Sequence, residues 1–383
     1  MSDWKVENIA TLANGKKAKD NSTDAPYPIY GGNGIMGHSN TYNADNVVII
    51  GRVGAYCGSV HHSKEKCWIS DNAISATAKE GNSIDYLYYL LNSLNLNRYH
   101  IGGAQPLMTQ GIINNIDIPS HSLSEQKKIA AILSSLDEKI ETNRKINVRL
   151  EELAQALFKS WFIDFEPFGG KMPEDWETVP INDMVETIIG GDWGKEEESG
   201  SFTKKVMCIR GADLNNIRIG EKGKAPIRYI LDKNFKQKAL SHHDIIVEIS
   251  GGSPTQSTGR IAMISSVFSN NYDNSLICTN FCKALKIKNT YSHYFYYLWN
   301  YLYDNKIMFI YENGSNGLKN LNLTNLLDRE LCNIPTEKVA SDFYKVIESI
   351  FLKIQRTGAE STRLAALRDT LLPKLMSGKL IPE

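Results

Sequence analysis

A heptad pattern of apolar residues dominates residues 123–165 of the chain. Two columns at a spacing of seven are mostly apolar, with charged residues between them. They are Ile129, Leu136, Asn143, Leu150 and Leu157, and Leu133, Ile140, Asn147, Ala154 and Trp161. This spacing predicts a helix, about 60 Å long, whose seam is buried along a second helix. Ser122 and Glu125 have the spacing of a capping box at its start, and Pro167 follows its end.

A second helical stretch is predicted from about residue 337 to residue 376. Its apolar column and the residues flanking it are Phe343, Ile350, Thr357, Leu364 and Leu371, with Ile347, Ile354 and Leu375. Gly358 lowers the helix propensity, and Pro373 is expected to kink or end the helix near Leu372. The stretch is the natural partner of the first helix, and an antiparallel pair of coiled-coil helices is expected.

The segments before the two helices resemble each other. Residues 86–92 read YLYYLLN and residues 294–300 read YFYYLWN, while NVVII at 46–50 has a counterpart in the strand-like run near 245–249. The offset between matching segments grows steadily, as expected for one duplication with extra loop residues in the second copy. Short strands separated by glycine and asparagine turns predict a mixed α/β, or α+β, fold in each copy. The predicted order along the chain is therefore domain, long helix, domain, long helix, with the two halves related as a pseudo-twofold repeat.

The balanced charge of the chain excludes a global electrostatic attraction to nucleic acid or to a membrane surface. The 43 basic residues balance the 43 acidic ones, and the sequence contains no long apolar run. The six cysteines form no C-x-x-C pair, so free thiols in a reducing, cytoplasmic setting are expected, without a membrane span. Positive charge is concentrated in residues 204–238. This cluster is either a solvated face or a surface that contacts phosphates.

Candidate DNA-contacting residues lie in loops and basic segments of both copies. Lysine and arginine neutralise phosphates, whereas Asn, Gln and Arg can pair with base edges. The candidates are Arg52, Lys64, Lys66, Gln105, Gln110, Lys204, Lys205, Arg210, Gln256, Arg260, Asn316, Lys319 and Asn320. Matched loops that differ in sequence are what two readers of different half-sites would have.

Motifs for catalysis or metal binding are weak. His61 and His62, and His242 and His243, are adjacent pairs that would point apart on a strand, so we predict no metal site. Residues 24–27 read DAPY, which is similar to the D-P-P-Y motif of amino-methyltransferases, but no convincing glycine-rich cofactor motif accompanies them. We find no Walker A, H-E-x-x-H or G-x-S-x-G motif. A binding protein without catalytic residues or a cofactor of its own is favoured over an enzyme.

The whole chain resembles the specificity subunit of type I restriction-modification systems. The resemblance is carried by IPSHSLSEQKKIAAILSSLDEKIETNRKINVRLEELAQALFKSWFIDFEPF and LAALRDTLLPKLMSGKL, with support from YPIYGGNGIMGH and GGAQPLMT. It implies a non-catalytic subunit of a phage-defence system, whose two target-recognition domains each read one half of a split, asymmetric sequence in double-stranded DNA. It also implies two methyltransferase subunits that use S-adenosylmethionine for DNA methylation, and restriction subunits that use ATP and magnesium.

This resemblance sets the expected boundaries. Target-recognition domains are expected at residues 1–121 and 166–335, and conserved helical spacers at 122–165 and 336–383. The second spacer lacks the EQKKI of the first, so the two methyltransferase-docking surfaces are not expected to be equivalent. Two alternatives remain open from the residues alone: a coiled-coil adaptor that binds protein partners, and a self-sufficient methyltransferase.

Overall fold

A computed structural model describes residues 4–103, 105–253, 255–273, 275–314 and 319–380. The chain forms two compact units. The first unit comprises the residues up to 139 and those from 364 onward, and the second unit comprises residues 140–363. Elements that begin in the first unit are α1 (Val6–Ile9), β1 (Ala10–Asn14), β2 (Tyr27–Gly31), β3 (Gly34–Ser39), β4 (Val47–Gly51), β5 (Val60–Ser63), β6 (Trp68–Ile69), β7 (Ala73–Ala78), α2 (Ile84–Ser93), α3 (Gln110–Asn114) and α4 (Leu123–Phe162).

The second unit contains the remaining strands and the start of the last helix. Its elements are β8 (Glu177–Pro180), β9 (Val185–Gly190), β10 (Phe202–Ile209), α5 (Leu214–Arg218), β11 (Ile227–Leu231), α6 (Asp232–Lys238), β12 (Ile245–Glu248), β13 (Ser250–Gly251), β14 (Ile261–Met263), α7 (Ser266–Asn270), β15 (Leu276–Cys278), β16 (Cys282–Ile287), α8 (Ser292–Asp304), β17 (Glu312–Asn313), β18 (Lys319–Leu321), α9 (Leu323–Arg329), β19 (Leu331–Ile334) and α10 (Glu337–Met376). Helix α10 runs on into the first unit.

The two units repeat the same sheet topology. The main sheet of the first unit has the order β1-β7-β4-β5, and that of the second has the order β9-β16-β12-β14, with all neighbours antiparallel. A three-stranded sheet accompanies each, β3-β2-β6 and β11-β10-β15, in which one pair is antiparallel and the other parallel. Helices α2 and α8 carry the two tyrosine-rich segments. The structure thus confirms the internal repeat and the mixed α/β class.

Helix α4 begins at the predicted capping box. The Ser122 backbone N–H donates to Glu125 Oε2 at 2.7 Å, and the Glu125 N–H donates to Ser122 Oγ at 3.3 Å. These bonds satisfy backbone donors that the first helical turn leaves free. The helix then continues for 40 residues.

Helices α4 and α10 pair in an antiparallel direction within each unit. In the second unit, Asn143 bonds to Ser361, Asn147 bonds to the Ile354 carbonyl, and the Phe162 ring lies 4.8 Å from the Phe343 ring. The residue number of the α10 partner thus decreases as the α4 residue number increases, which defines an antiparallel pair. In the first unit, Asp137 pairs with Arg368 at 2.6 Å. The predicted antiparallel helices are confirmed.

The predicted seam is buried to different depths. Ile129, Leu133, Ile140 and Phe343 are buried. The other predicted seam positions are half-buried: Leu136, Leu150, Leu157, Ile350, Leu364 and Leu371. Near its C-terminus α4 buries Ala154, Phe158 and Phe162 in the large core of the second unit. Ala154 belongs to the column read at sevens, whereas Phe158 and Phe162 each lie one position beyond a column member and contact Tyr294 of α8.

Pro373 was expected to kink or end the second helix near Leu372, and of these two expectations the end was wrong. Helix α10 continues through Pro373 to Met376. Proline removes one hydrogen bond from the last turn, but Leu375 and Met376 of that turn are buried in the core of the first unit. Their burial offsets the lost bond.

Gly358 serves a close approach of two backbones. A Cβ atom at this position would lie 1.7 Å from the Ile219 carbonyl oxygen. The neighbouring Gln355 amide donates to the carbonyls of Ile217 and Arg218 at 3.0 Å each. The glycine therefore lets α10 lie against the backbone that follows α5.

The cysteine prediction is confirmed, since all six are free and buried. No helix among the described residues has the length and apolar character needed to cross a membrane. The boundaries at 121, 165 and 335 remain predictions, because each compact unit includes part of both long helices.

Candidate nucleic-acid interface

A cleft in the second unit is lined in part by the predicted contact Arg210. Its volume is about 530 Å³, and Arg210, Glu248, Ser250, Thr279, Trp193 and Phe281 contribute to its lining. Trp193 and Phe281 are 39% and 58% exposed. Exposed aromatic rings offer stacking surfaces, whereas the carboxylate and hydroxyl groups can accept hydrogen bonds.

Glu248 forms the floor of this cleft at the end of β12. It is 3% exposed, and its oxygens accept hydrogen bonds from Arg260 Nε at 2.8 Å and Nη2 at 2.6 Å. This bond raises the pKa of the Arg260 guanidinium above its ordinary value. A buried carboxylate needs such a partner. Arg260, which we predicted to contact DNA, is therefore held in the wall of the second unit.

Arg210 is similarly engaged. It donates to Asp213 from Nε at 2.8 Å and from Nη2 at 3.0 Å, and Nη2 also donates to the Lys224 carbonyl at 2.6 Å. Asp213 is buried, so the pair stabilises the turn that leads into α5. The Arg210 side chain nevertheless remains 36% exposed at the cleft.

Other predicted residues of the second unit lie in or beside loops, and one of them, Asn320, contacts a cleft residue. Ser250 lines the cleft and donates to Asn320 Oδ1, because β13 pairs with β18. Lys319 lies 2.9 Å from Glu312 and over the Phe309 ring. Gln256 is exposed in the loop before β14. Asn316 lies outside the described residues.

The basic segment of residues 204–238 is largely paired with nearby groups. Lys204 stands 4.3 Å from the Phe235 ring centroid, while Lys205 beside it is exposed. Arg228 pairs with Glu196 at 2.7 Å and stacks on Trp193 at 4.1 Å. Arg228 thus supports an aromatic ring of the cleft. Of the predicted contacts Lys204, Lys205 and Arg210, Lys205 is the most exposed and the one that we expect to meet a phosphate.

The predicted residues of the first unit are more scattered. Arg52 follows β4 and donates to the Asp71 carbonyl at 3.4 Å. Lys64 pairs with Glu138 at 3.3 Å, and Lys66 lies over the Tyr42 ring. Gln105 is exposed, whereas Gln110 opens α3. The sequence had placed Gln110 in a loop, but Thr109 caps a short helix there by accepting from the Ile112 N–H at 3.2 Å.

Sequence reasoning missed Trp193, Phe281 and Glu248. Trp193 lies within GGDWGKEEE, and a large aromatic residue in such a polar stretch was a usable signal. Glu248 carried no such signal, because its role depends on Arg260 and on a cleft formed by separate loops.

Comparison with known proteins places this architecture in one family. The model of the type I restriction modification DNA specificity domain matches residues 1–152 and 173–337. The chain is 27% identical over 328 residues to the type I restriction enzyme MjaIX specificity subunit of Methanocaldococcus jannaschii, covering 79% of this chain and 70% of that protein. It is 25% identical over 337 residues to the HindI specificity subunit of Haemophilus influenzae, covering 73% and 72% of the two chains.

A solved structure shares the fold. The S subunit of a type I restriction-modification system from M. genitalium superposes with a TM-score of 0.65 at 16% identity, and the match covers 99% of this chain and 96% of that one. The family model covers well over half of the sequence. The chain therefore belongs to the type I restriction-modification DNA specificity family.

Proposed function

We propose that this chain selects the bipartite, asymmetric DNA sequence on which a type I restriction-modification complex acts. The observation that carries the proposal is the repeated strand order of the two units combined with different polar groups in their corresponding loops. One fold used twice with different loop chemistry suits two unrelated half-sites. Each recognition domain would hold phosphates through lysine and arginine and read bases through loop amides.

The cleft of the second unit is the proposed centre of its reading surface. Arg210 and Arg260 are tied to Asp213 and Glu248, so they would shape the loops more than read bases. Gln256 and Lys205 are exposed and remain available to a duplex. Gln256 is thus the proposed base contact of this unit, and Lys205, on β10, is its proposed phosphate contact.

The two long helices are the proposed docking surface for methyltransferase subunits. Several of their apolar side chains are 36–55% exposed: Ile132, Ile146, Val148, Leu153, Val346 and Leu367. Exposed apolar side chains of this kind are candidates for partner contacts. In this proposal the methyltransferase subunits bind S-adenosylmethionine, the restriction subunits bind ATP and magnesium, and this chain catalyses no step.

Sequencing of methylated adenines in host cells tests the proposal. Deletion of the gene should remove one bipartite methylation motif. Replacement of residues 166–335 with the corresponding domain of another family member should change one half of that motif and leave the other half intact. A motif that survives deletion, or that changes in both halves, would refute the assignment.

Purified subunits separate this function from the alternatives. The chain reconstituted with its methyltransferase subunit should prefer duplexes that carry the motif, whereas an adaptor would show no sequence-dependent affinity. Calorimetry of the isolated chain with S-adenosylmethionine should detect no binding. Heat release with a 1:1 stoichiometry would instead support a self-sufficient methyltransferase.

A further inference from the structure

A cluster of histidines around one carboxylate lies in the second unit, apart from the cleft. His242 and His243 precede β12, His293 lies in the first turn of α8, and Glu348 lies on α10. His243 has a φ of +69°, so these residues form a turn and not the strand that we had assumed. The two adjacent rings stack with their centroids 3.6 Å apart and face the same carboxylate. The prediction that this pair points apart was wrong.

Three imidazole nitrogens converge on Glu348. His242 Nε2 lies 3.4 Å from Oε1, His243 Nε2 lies 3.1 Å from Oε2, and His293 Nε2 lies 2.6 Å from Oε2. The Glu348 side chain is 17% exposed, that of His243 is 9% exposed and that of His293 is fully buried. Three imidazoles and one carboxylate thus meet in a position that is largely protected from solvent.

The second ring nitrogens of His293 and His243 have different surroundings. His293 Nδ1 is buried without a hydrogen-bond partner among the described residues, while its Nε2 donates to Glu348 at 2.6 Å. Asn289 Oδ1 lies 3.1 Å from His243 Nδ1 and can accept a proton carried on that nitrogen. In the metal-bound form His243 Nε2 would then present its lone pair to the ion, in place of its contact with Glu348.

Glu348 supplies a carboxylate ligand. The bond from His293 orients this carboxylate. Metal sites commonly use hydrogen bonds of this kind to hold their ligands.

The distances suit a zinc-type ion. The ligand atoms of His242, His243 and Glu348 all lie within 4.8 Å of one another. Zinc bonds of about 2.0–2.2 Å to nitrogen and oxygen separate tetrahedral ligands by roughly 3.4 Å. The two nitrogen–carboxylate separations of 3.4 and 3.1 Å already match this value. The His242 side chain is 35% exposed, which gives the ion a route from solvent and leaves room for a water ligand.

We propose that His242 Nε2, His243 Nε2 and the Glu348 carboxylate bind one zinc-type divalent ion, with water as the fourth ligand and His293 and Asn289 as orienting groups. His242 Nδ1 accepts a hydrogen bond from the Ser266 N–H at 3.1 Å and lies 3.4 Å from the Ile264 carbonyl. Metal binding through Nε2 would move the proton to Nδ1, where the Ile264 carbonyl would accept it in place of the bond from Ser266. The ion would fasten α10 to the turn before β12, independently of the DNA-reading function.

Zinc titration of the full chain tests the site. Protein freed of metal with EDTA should bind zinc sulfate with 1:1 stoichiometry in calorimetry and melt at a higher temperature when loaded. Glu348→Gln and His243→Asn should abolish this binding; asparagine is chosen because it tolerates a positive φ. Asn289→Ala should weaken the affinity about 10- to 100-fold. His100→Gln, at an exposed position of the first unit, should bind zinc like the wild type.

Histidine labelling provides a readout that does not depend on the folding of variants. Zinc should protect His242 and His243 of the wild type from carbethoxylation by diethyl pyrocarbonate, while His100 stays reactive. Failure of the folded wild type to bind zinc would overturn the proposal. Binding that persists in folded Glu348→Gln and His243→Asn proteins, or zinc that leaves His242 and His243 unprotected, would overturn it equally.

Discussion

Asn143 on α4 donates a hydrogen bond from Nδ2 to the Ser361 hydroxyl of α10 at 3.3 Å. The same amide donates to Glu360 Oε2 at 2.9 Å. Its Oδ1 is buried and has no hydrogen-bond partner within the described part of the chain. A polar residue in a helical seam specifies register at a cost in stability. Asn143 therefore fixes which turn of α10 faces it while holding an unsatisfied acceptor.

Asn143→Leu should raise the free energy of unfolding by about 1 kcal/mol, because it removes the buried acceptor and adds apolar contact. Ser361 keeps a partner, since its hydroxyl also donates to the Thr357 carbonyl. Urea denaturation of both proteins measures the change. Ile146→Leu, at a position 37% exposed, is the control and should change little. A less stable Asn143→Leu protein would show that the two hydrogen bonds of Asn143 stabilise the fold by more than its unpaired, buried Oδ1 destabilises it.

Gly358→Ala should destabilise the protein by more than about 2 kcal/mol, although helix propensity alone would favour alanine by about 1 kcal/mol. The new methyl group would meet the Ile219 carbonyl at 1.7 Å, which forces the backbones apart. Gly111→Ala in α3 is the matched control, because its Cβ would have only a distant contact at 4.0 Å. The melting temperature should therefore fall in Gly358→Ala, and it should fall less or rise in Gly111→Ala. Equal melting temperatures for the two variants would contradict the close approach.

Local sequence patterns predicted the helices and the internal repeat of this fold. Features that depend on contacts between residues far apart in the sequence, such as the end of α10, could not be predicted in this way. The heptad spacing located α4 and α10, and the tyrosine-rich segments revealed the repeat, because both signals lie within short stretches of chain. Pro373 misled the prediction because the burial of Leu375 depends on the first unit.

The candidate site shows the same limit. Residue chemistry identified arginines near the DNA-reading loops, but it could not show that Arg260 is committed to Glu248 or Arg210 to Asp213. The histidine cluster was missed because its members are joined only by folding, with Glu348 about a hundred residues beyond His243. Gln256 and Lys205 remain candidate DNA contacts because their side chains are exposed, whereas Arg210 and Arg260 are bound to carboxylates.

Arg368→Ala should lower the free energy of unfolding by about 1–2 kcal/mol. Its guanidinium donates to Asp137 at 2.6 Å, and Tyr89 donates to the other oxygen of that carboxylate at 2.7 Å, so the substitution breaks a half-buried network in the first unit. Lys345→Ala, which removes an exposed ion pair with Asp342, should cost less than about 0.5 kcal/mol. Chemical denaturation compares the two. Equal costs would indicate that the Arg368 network contributes no more than a surface pair.

Lys205→Ala and Gln256→Ala should affect DNA binding differently. Loss of a phosphate contact at Lys205 should weaken binding to all sequences and reduce the salt slope by about one. Loss of a base contact at Gln256 should cost about 1–3 kcal/mol on the cognate site only and relax one position of the second half-site. Titrations of the methyltransferase complex against duplex variants measure both effects. Gln105→Ala is the control, because it should relax only the other half-site. Identical sequence profiles for all three variants would count against these assignments.

A matched lengthening of both long helices should change the gap between half-sites. One heptad inserted after Lys139 in α4 and one before Leu364 in α10 preserves the apolar seam, because the added residues continue the repeat of seven. Each insertion lengthens its helix by about 10 Å, which corresponds to roughly three base pairs. Sequencing of methylated adenines should therefore find both half-sites unchanged and their gap longer. Insertion into α4 alone mismatches the seam and should lower the melting temperature instead. The original gap in a stably folded double insertion would refute the role of the helices as a spacer.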